Sequence, residues 1–181
     1  MADSARQTVP VSPSSPGDAL EEAFVRYQSE LLGMLYHMVG HAEDARDALQ
    51  EAFVKCWRNR QQVAEIQNLK AWIFRVALNT ARDMRQTAWR RHKKCLPDDE
   101  TSIPTEQPSP EVQVEYSEQL VLVRAAVSAL RAEEQEVFLL RQNGQLTYEQ
   151  IAEALGVPTG TVKTRMRLAL LRLRETLVQT I

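Results

Sequence analysis

Residues 147–174, TYEQIAEALGVPTGTVKTRMRLALLRLR, restrict the fold of this chain more than any other stretch. Thr147, with Gln150 three residues later, fits a capping box: the hydroxyl accepts from the third helical N–H and the amide reaches back to the cap. Ile151, Ala152 and Leu155 give that short helix one apolar face. Gly156 stands where a left-handed residue ends a helix, and Pro158 suits the first turn of the next. In that next helix Val162, Met166, Ala169, Leu170, Leu173 and Leu177 recur at helical spacing and are expected to face the core. Thr161, Lys163, Thr164, Arg165 and Arg167 fall early on it, largely outside that stripe. A helix-turn-helix places the N-terminal part of its second helix in the DNA major groove. A helical hairpin with a solvated basic face has the same pattern, but the tight glycine turn and the basic second helix favour DNA.

The rest of the chain also reads as helix. Its 181 residues contain six glycines, and few runs alternate with period two. Residues 1–17 carry three prolines and four serines and are expected to be disordered. From residue 18, Leu20, Phe24, Tyr27, Leu31, Leu35 and Met38 recur at steps of three and four, and Gly40 closes that helix. A second helix has Ala45, Ala48, Leu49, Ala52, Phe53, Cys56 and Trp57 on one face and Glu43, Asp44, Asp47, Gln50, Glu51 and Lys55 on the other. Residues 59–68 read as a loop with short helical character. A third helix over residues 69–91 turns Ile73, Val76, Ala77, Thr80 and Met84 inward. Residues 97–110, PDDETSIPTEQPSP, are proline-rich and acidic and read as a flexible linker. Beyond it, Leu120, Val123, Val127 and Leu130 mark one helix and residues 137–140 the next, closed by Asn143 and Gly144. The expected fold is all-α: an N-terminal domain over residues 18–95, a linker over 96–112 and a second small domain over 113–181.

A formal net charge of −2 argues against a generic nucleic-acid coat, but that average hides segregation. Residues 70–94 hold eight lysines and arginines against Asp83 alone, residues 96–119 hold seven acidic residues and no cation, and residues 163–174 hold no acid. Two basic blocks separated by an acidic one suggest two DNA-facing surfaces and a tether. On the third helix Trp72, Arg75, Asn79, Arg82 and Gln86 lie beside the apolar stripe, and Trp89 follows among Arg90, Arg91, Lys93 and Lys94. Aromatics that stack and cations that meet phosphate suit opened DNA. Trp72 is equally suited to the core. The acidic face of the second helix is either solvated or a dock for a basic partner, and nothing local separates the two.

Chemistry of bond-breaking is not expected. His37 and His41 are four apart, but Gly40 breaks the helix between them and no third ligand stands at a recognisable spacing. His92 with Cys95 is a similarly isolated pair. No phosphate loop, nucleophile elbow or catalytic dyad is present, so no cofactor or metal is expected. Two cysteines are too few for a disulfide framework, and no signal-like or membrane-length apolar run occurs, so a reducing cytoplasm is the expected setting.

Taken in order, DARDALQEAFVKCW (44–57), AWIFRVALNTARD (71–83), EVFLLR (136–141), LTYEQIA (146–152) and GTVKTR (160–165) resemble the extracytoplasmic-function sigma factors of bacteria. The resemblance covers nearly all of residues 18–177. It implies that the first domain is the family's domain 2, which docks on core RNA polymerase and opens the −10 promoter element, and that the second is domain 4, which reads the −35 element. It implies that Asp44, Asp47, Gln50 and Glu51 face the β′ subunit, which turns the acidic face into a dock. It places Asn79 beside an unstacked base of the −10 element, with Trp72, Arg75, Arg82, Arg85, Arg90 and Arg91 around the same strand. Thr161, Lys163, Thr164, Arg165 and Arg167 would meet the −35 element, and an anti-sigma partner is implied. Leu168 and Leu170 stand where the family often has arginines, which means fewer phosphate contacts or packing on a partner. A stand-alone helix-turn-helix regulator that binds duplex DNA without polymerase is the alternative.

Overall fold

The computed structural model describes residues 15–95 and 118–180, with the side chains of residues 88–95, 118–120 and 179–180 outside that description. Helices α1 (Pro16–Val39) and α2 (Ala42–Arg58) are followed by a 3-10 segment (Arg60–Glu65) and α3 (Leu69–Cys95). Then come α4 (Glu118–Ser128), α5 (Ala132–Gln142), α6 (Tyr148–Leu155) and α7 (Thr159–Thr180). The described residues contain no strand. Most of the segment expected to be disordered, residues 1–14, and the expected linker at 96–112 lie outside the described residues.

Local chemistry sets the helix ends. α1 starts at Pro16, two residues before the periodicity predicts, because Ser15 accepts from the Asp18 N–H at 3.2 Å and proline is already helical at the first position. It stops at Gly40, whose φ of 87° is left-handed and whose N–H donates to the Tyr36 carbonyl at 2.9 Å.

α1, α2 and α3 pack on one another. α2 contributes mostly alanine, with Ala45, Ala48, Ala52 and Cys56 fully buried, so its backbone approaches its neighbours closely. Phe24 and Phe53 meet edge to face at 5.0 Å between centroids. Burial drives the Cys56 thiol up to about 12, so it acts as a small apolar side chain.

In the C-terminal part α7 packs on α4, α5 and α6. Val162, Met166, Ala169 and Leu173 are buried, as their spacing predicts. Leu170 is not: it stands 51% exposed, a full residue step of rotation away from Ala169. In α4 burial falls on Ala126 and Val127, and just beyond it on Leu130, while Val123 is 41% exposed.

The α5–α6 turn works differently from a glycine cap. The left-handed residue is Gln145, at φ 51°. Gly144 is buried, and a Cβ built there would lie 2.5 Å from the Leu140 carbonyl oxygen. Gly144→Ala therefore forces the turn apart and is expected to destabilise the protein by about 1–3 kcal/mol in urea unfolding. A change below about 0.5 kcal/mol, the range of an ordinary surface substitution, would mean the backbone yields freely there.

The two halves touch. α3 packs on α6 and α1 on α4. α3 buries more than its expected stripe: Phe74, Leu78 and Ala81 are fully buried beside Ile73 and Ala77, and the Phe74 ring lies against Gly144 of the C-terminal half.

Candidate nucleic-acid interface

The helix-turn-helix forms from α6 and α7. Thr147 Oγ1 accepts from the Gln150 N–H at 3.2 Å, and Gln150 Oε1 accepts from the Thr147 N–H at 2.8 Å, so both halves of the capping box are made. Gly156, at φ 66°, ends α6, and the Val157 N–H donates to the Ala152 carbonyl at 3.0 Å. Pro158 precedes α7 rather than joining its first turn, its carbonyl accepting from Thr161 and Val162. Arg141 buttresses the motif from α5: Nη1 donates to the Leu146 carbonyl at 2.8 Å, and its guanidinium lies 5.4 Å from the Tyr148 ring centroid.

On α7, Lys163, Thr164 and Arg167 are exposed, whereas Thr161 and Arg165 are half-buried. The Thr164 hydroxyl donates back to the Gly160 carbonyl at 3.0 Å. Val162 and Met166 hold the opposite side in the core. The N-terminal turns of α7 therefore present two cations and a threonine outward on a rigid base. Arg172 belongs to another task. It pairs with Glu134 of α5, whose side chain is 4% exposed, and so ties α7 to α5.

On α3, Arg75, Asn79, Arg82 and Arg85 are exposed, and Trp72 is half-buried against the core. Arg90 and Arg91 lie on the same helix, but their side chains are outside the described residues. Arg82 Nη1 donates to Asn79 Oδ1 at 3.1 Å. The other side of that guanidinium grips Glu136 of α5, with Nε to Oε1 at 2.6 Å and Nη2 to Oε2 at 2.5 Å. The fork-to-fork pairing raises the Arg82 pKa above its ordinary value. Asn79, Arg82, Arg85, Gln86, Ala132 and Glu136 line an open groove of about 700 Å³ between α3 and α5.

On α2, Asp44, Asp47, Gln50 and Glu51 are all exposed. Asp44 and Glu51 share a cleft of about 380 Å³ with Asp83 and Arg85 of α3, so the acidic face and the basic helix adjoin. Lys55 bridges them, 3.1 Å from Glu51 and 3.3 Å from Asp83. Burial works against its ammonium, but the two carboxylates outweigh it and its pKa rises.

Sequence patterning missed the partners of Arg82 and Arg172. Glu134 and Glu136 open a helix, where acids are ordinary, and each finds its cation 38 or 54 residues away. No local signal carries such a pairing. No helix among the described residues is long and apolar enough to cross a membrane.

Residues 23–91 match the sigma-70 region 2 family and residues 120–173 match sigma-70, region 4. The RNA polymerase sigma-E factor of Streptomyces avermitilis is 34% identical over 167 residues, covering 89% of this chain and 87% of that protein. The ECF RNA polymerase sigma factor SigE of Mycolicibacterium smegmatis is 29% identical over 88% of this chain, which spans 62% of that protein's length. Among solved structures, the sigma factor RpoE of Bartonella quintana, crystallised with the anti-sigma factor NepR, superposes with a TM-score of 0.70 at 22% identity. That likeness covers 88% of this chain and 96% of the other and concerns the fold.

Proposed function

This chain belongs to the extracytoplasmic-function RNA polymerase sigma factors, and we propose that α2 docks it on core polymerase while α3 and α7 meet the two promoter elements. As a sigma factor it directs transcription initiation from promoters, and its own part is binding rather than bond chemistry. Asp44, Asp47, Gln50 and Glu51 form the docking face, toward the β′ subunit. Asn79, Arg75, Arg82, Arg85, Arg90 and Arg91, with Trp72 behind them, face the opened −10 element. Lys163, Thr164, Arg165 and Arg167, with Thr161 at the start of the helix, face the −35 element. An anti-sigma protein is the expected negative regulator, and the domain division is the one given above: 18–95 and 113–181.

The observation that carries this reading is the exposed basic start of α7 held on a buried Val162–Met166 base, in a chain whose α2 presents Asp44, Asp47, Gln50 and Glu51 outward. Cations at the front of a second helix serve a major groove, and carboxylates on a straight helix serve a basic partner surface.

The direct test is run-off transcription from a genomic promoter library with bacterial core polymerase, with and without the protein. Transcripts that depend on the protein and start downstream of a shared pair of motifs are expected. Their absence, with duplex binding that needs no polymerase, would overturn the assignment.

The α7 surface carries its own prediction. Arg165→Ala is expected to weaken binding to a −35 duplex by about 1–3 kcal/mol if the guanidinium forks onto a guanine. The loss then depends on the base opposite it. An equal loss on every sequence would mark Arg165 as a phosphate contact instead.

A further inference from the structure

The basic block of α3 contains a single acid, Asp83, and its side chain is 68% exposed. Asp83 lines the groove that holds Asn79, Arg82, Arg85 and Gln86, and also the cleft that holds Asp44 and Glu51 of α2. It therefore stands on the ridge between the −10 face and the docking face. A bare carboxylate there repels the phosphates that the neighbouring guanidiniums attract.

α3 does not neutralise Asp83 itself. Helical side chains face each other at steps of three and four. From Asp83 those positions are Asn79, Thr80, Gln86 and Thr87, none of them a cation. Arg82 and Arg85 are one and two steps away, where side chains do not face each other, and Arg82 is turned to Asn79 and Glu136. The cation comes from α2. Lys55 Nζ donates to Asp83 Oδ2 at 3.3 Å and is the only cation paired with that carboxylate among the described residues. It reaches α3 because the two helices pack together and its own stem is half-buried. The same ammonium lies 3.1 Å from Glu51, its i,i+4 partner on the docking face. One cation thus serves two carboxylates, one on each face.

We infer that Lys55 is a positioning residue for promoter binding: it masks Asp83 so that α3 presents an unbroken cationic face to the −10 strand, and it does so most fully once polymerase occupies Glu51. This rests on the assignment of α2 to polymerase and of α3 to the −10 element. A polymerase cation on Glu51 removes the rival carboxylate, and the Lys55 ammonium is left to Asp83. The link is reciprocal: DNA on α3 favours the masked Asp83 and so releases Glu51 to the dock. The pair adds little to stability, as is usual for exposed ion pairs, so its effect lies in where charge stands rather than in holding α2 on α3.

The test uses holoenzyme assembled from the full chain and bacterial core polymerase. The probe is a premelted copy of a promoter recovered by run-off transcription. Fluorescence anisotropy measures probe binding over a range of potassium chloride concentrations, and titration of labelled chain measures core affinity separately. Lys55→Gln is expected to bind the probe about fivefold more weakly, the effect of one uncompensated charge near a surface. The slope of log affinity against log salt becomes shallower by about 0.7, the share of one single-strand phosphate. Core affinity does not fall. Lys55→Gln with Asp83→Asn is expected to regain wild-type affinity and slope, and Lys55→Arg to keep them. A double variant as weak as Lys55→Gln overturns the mask, because Lys55 then acts on DNA directly or through the fold. An equal loss in core affinity also overturns it, because Lys55 then belongs to the dock. Asp83→Asn alone is a second check: it is expected to bind the probe at least as tightly as the wild type, and a loss overturns the mask. Failure of the sigma-factor assignment reads differently: the wild type itself gives no polymerase-dependent transcript, and the mask falls with it.

Discussion

Reversing two charges on α2, Asp47→Lys with Glu51→Lys, is expected to abolish binding to core polymerase and leave the helices intact. Both side chains are exposed, and the stability of α2 comes from the opposite face, where Ala45, Ala48, Ala52 and Cys56 are fully buried. Glu51 has one partner to lose, Lys55 at 3.1 Å, in an exposed i,i+4 pair of the sort that contributes about 0.3–0.5 kcal/mol. The fold therefore tolerates the change. Binding does not: loss of one partner from an interfacial charge pair costs about 2–5 kcal/mol, and here two carboxylates become cations facing a basic surface. At 1.4 kcal/mol per tenfold, the affinity falls by roughly a thousandfold or more. Wild-type affinity should also weaken as salt rises, since the face is open to screening. Titration of labelled protein with core polymerase, alongside circular dichroism, checks both halves of the claim. Unchanged affinity with intact helicity would remove α2 from the docking surface.

The parts of this molecule that were legible in its sequence are those fixed by neighbours in the chain. The capping box of Thr147 and Gln150, the left-handed ends at Gly40 and Gly156, and the buried series Val162, Met166, Ala169 and Leu173 all follow from contacts within one or two turns. What was not legible depends on the distant chain. Leu170 is apolar and its spacing puts it in the stripe, yet it is 51% exposed, because the placement of α4 and α5 decides which edge of the stripe is covered. Phe74, Leu78 and Ala81 fall outside the stripe predicted for α3 because periodicity assumes one buried face, whereas α3 has two. The charge blocks located the cations correctly along the chain, but Arg82 and Arg172 both proved to be held by α5. A charge on a helix face carries no mark that tells a solvent or DNA contact from an internal partner. The distinction lies in the burial of the acid: Glu134 and Glu136, in an otherwise ordinary acidic helix start, are nearly inaccessible.

That burial makes Arg172→Met the most damaging single change expected outside the hydrophobic core. Arg172 and Glu134 join α7 to α5, and the Glu134 side chain is 4% exposed against 31% for Arg172. Methionine keeps most of the stem volume and helix propensity, so the change isolates the guanidinium. It leaves a carboxylate inside the domain without its cation, a defect that typically costs about 3–5 kcal/mol. Glu134 sits in the first turn of α5, where the helix N-terminus also favours a negative charge, which places the loss toward the lower end of that range. The consequence for function is indirect. α7 loses its tie to α5, so binding to the −35 element weakens on every sequence alike, unlike the base-dependent loss expected for Arg165→Ala. The double variant Arg172→Met with Glu134→Leu removes both charges and is expected to recover most of the stability, since replacing a buried ion pair with apolar side chains is often neutral. Urea unfolding of the single and double variants measures this. A single-variant loss below about 1 kcal/mol, typical of an exposed pair, would mean that Glu134 finds water when Arg172 leaves and that the α5–α7 tie is not what fixes the recognition helix.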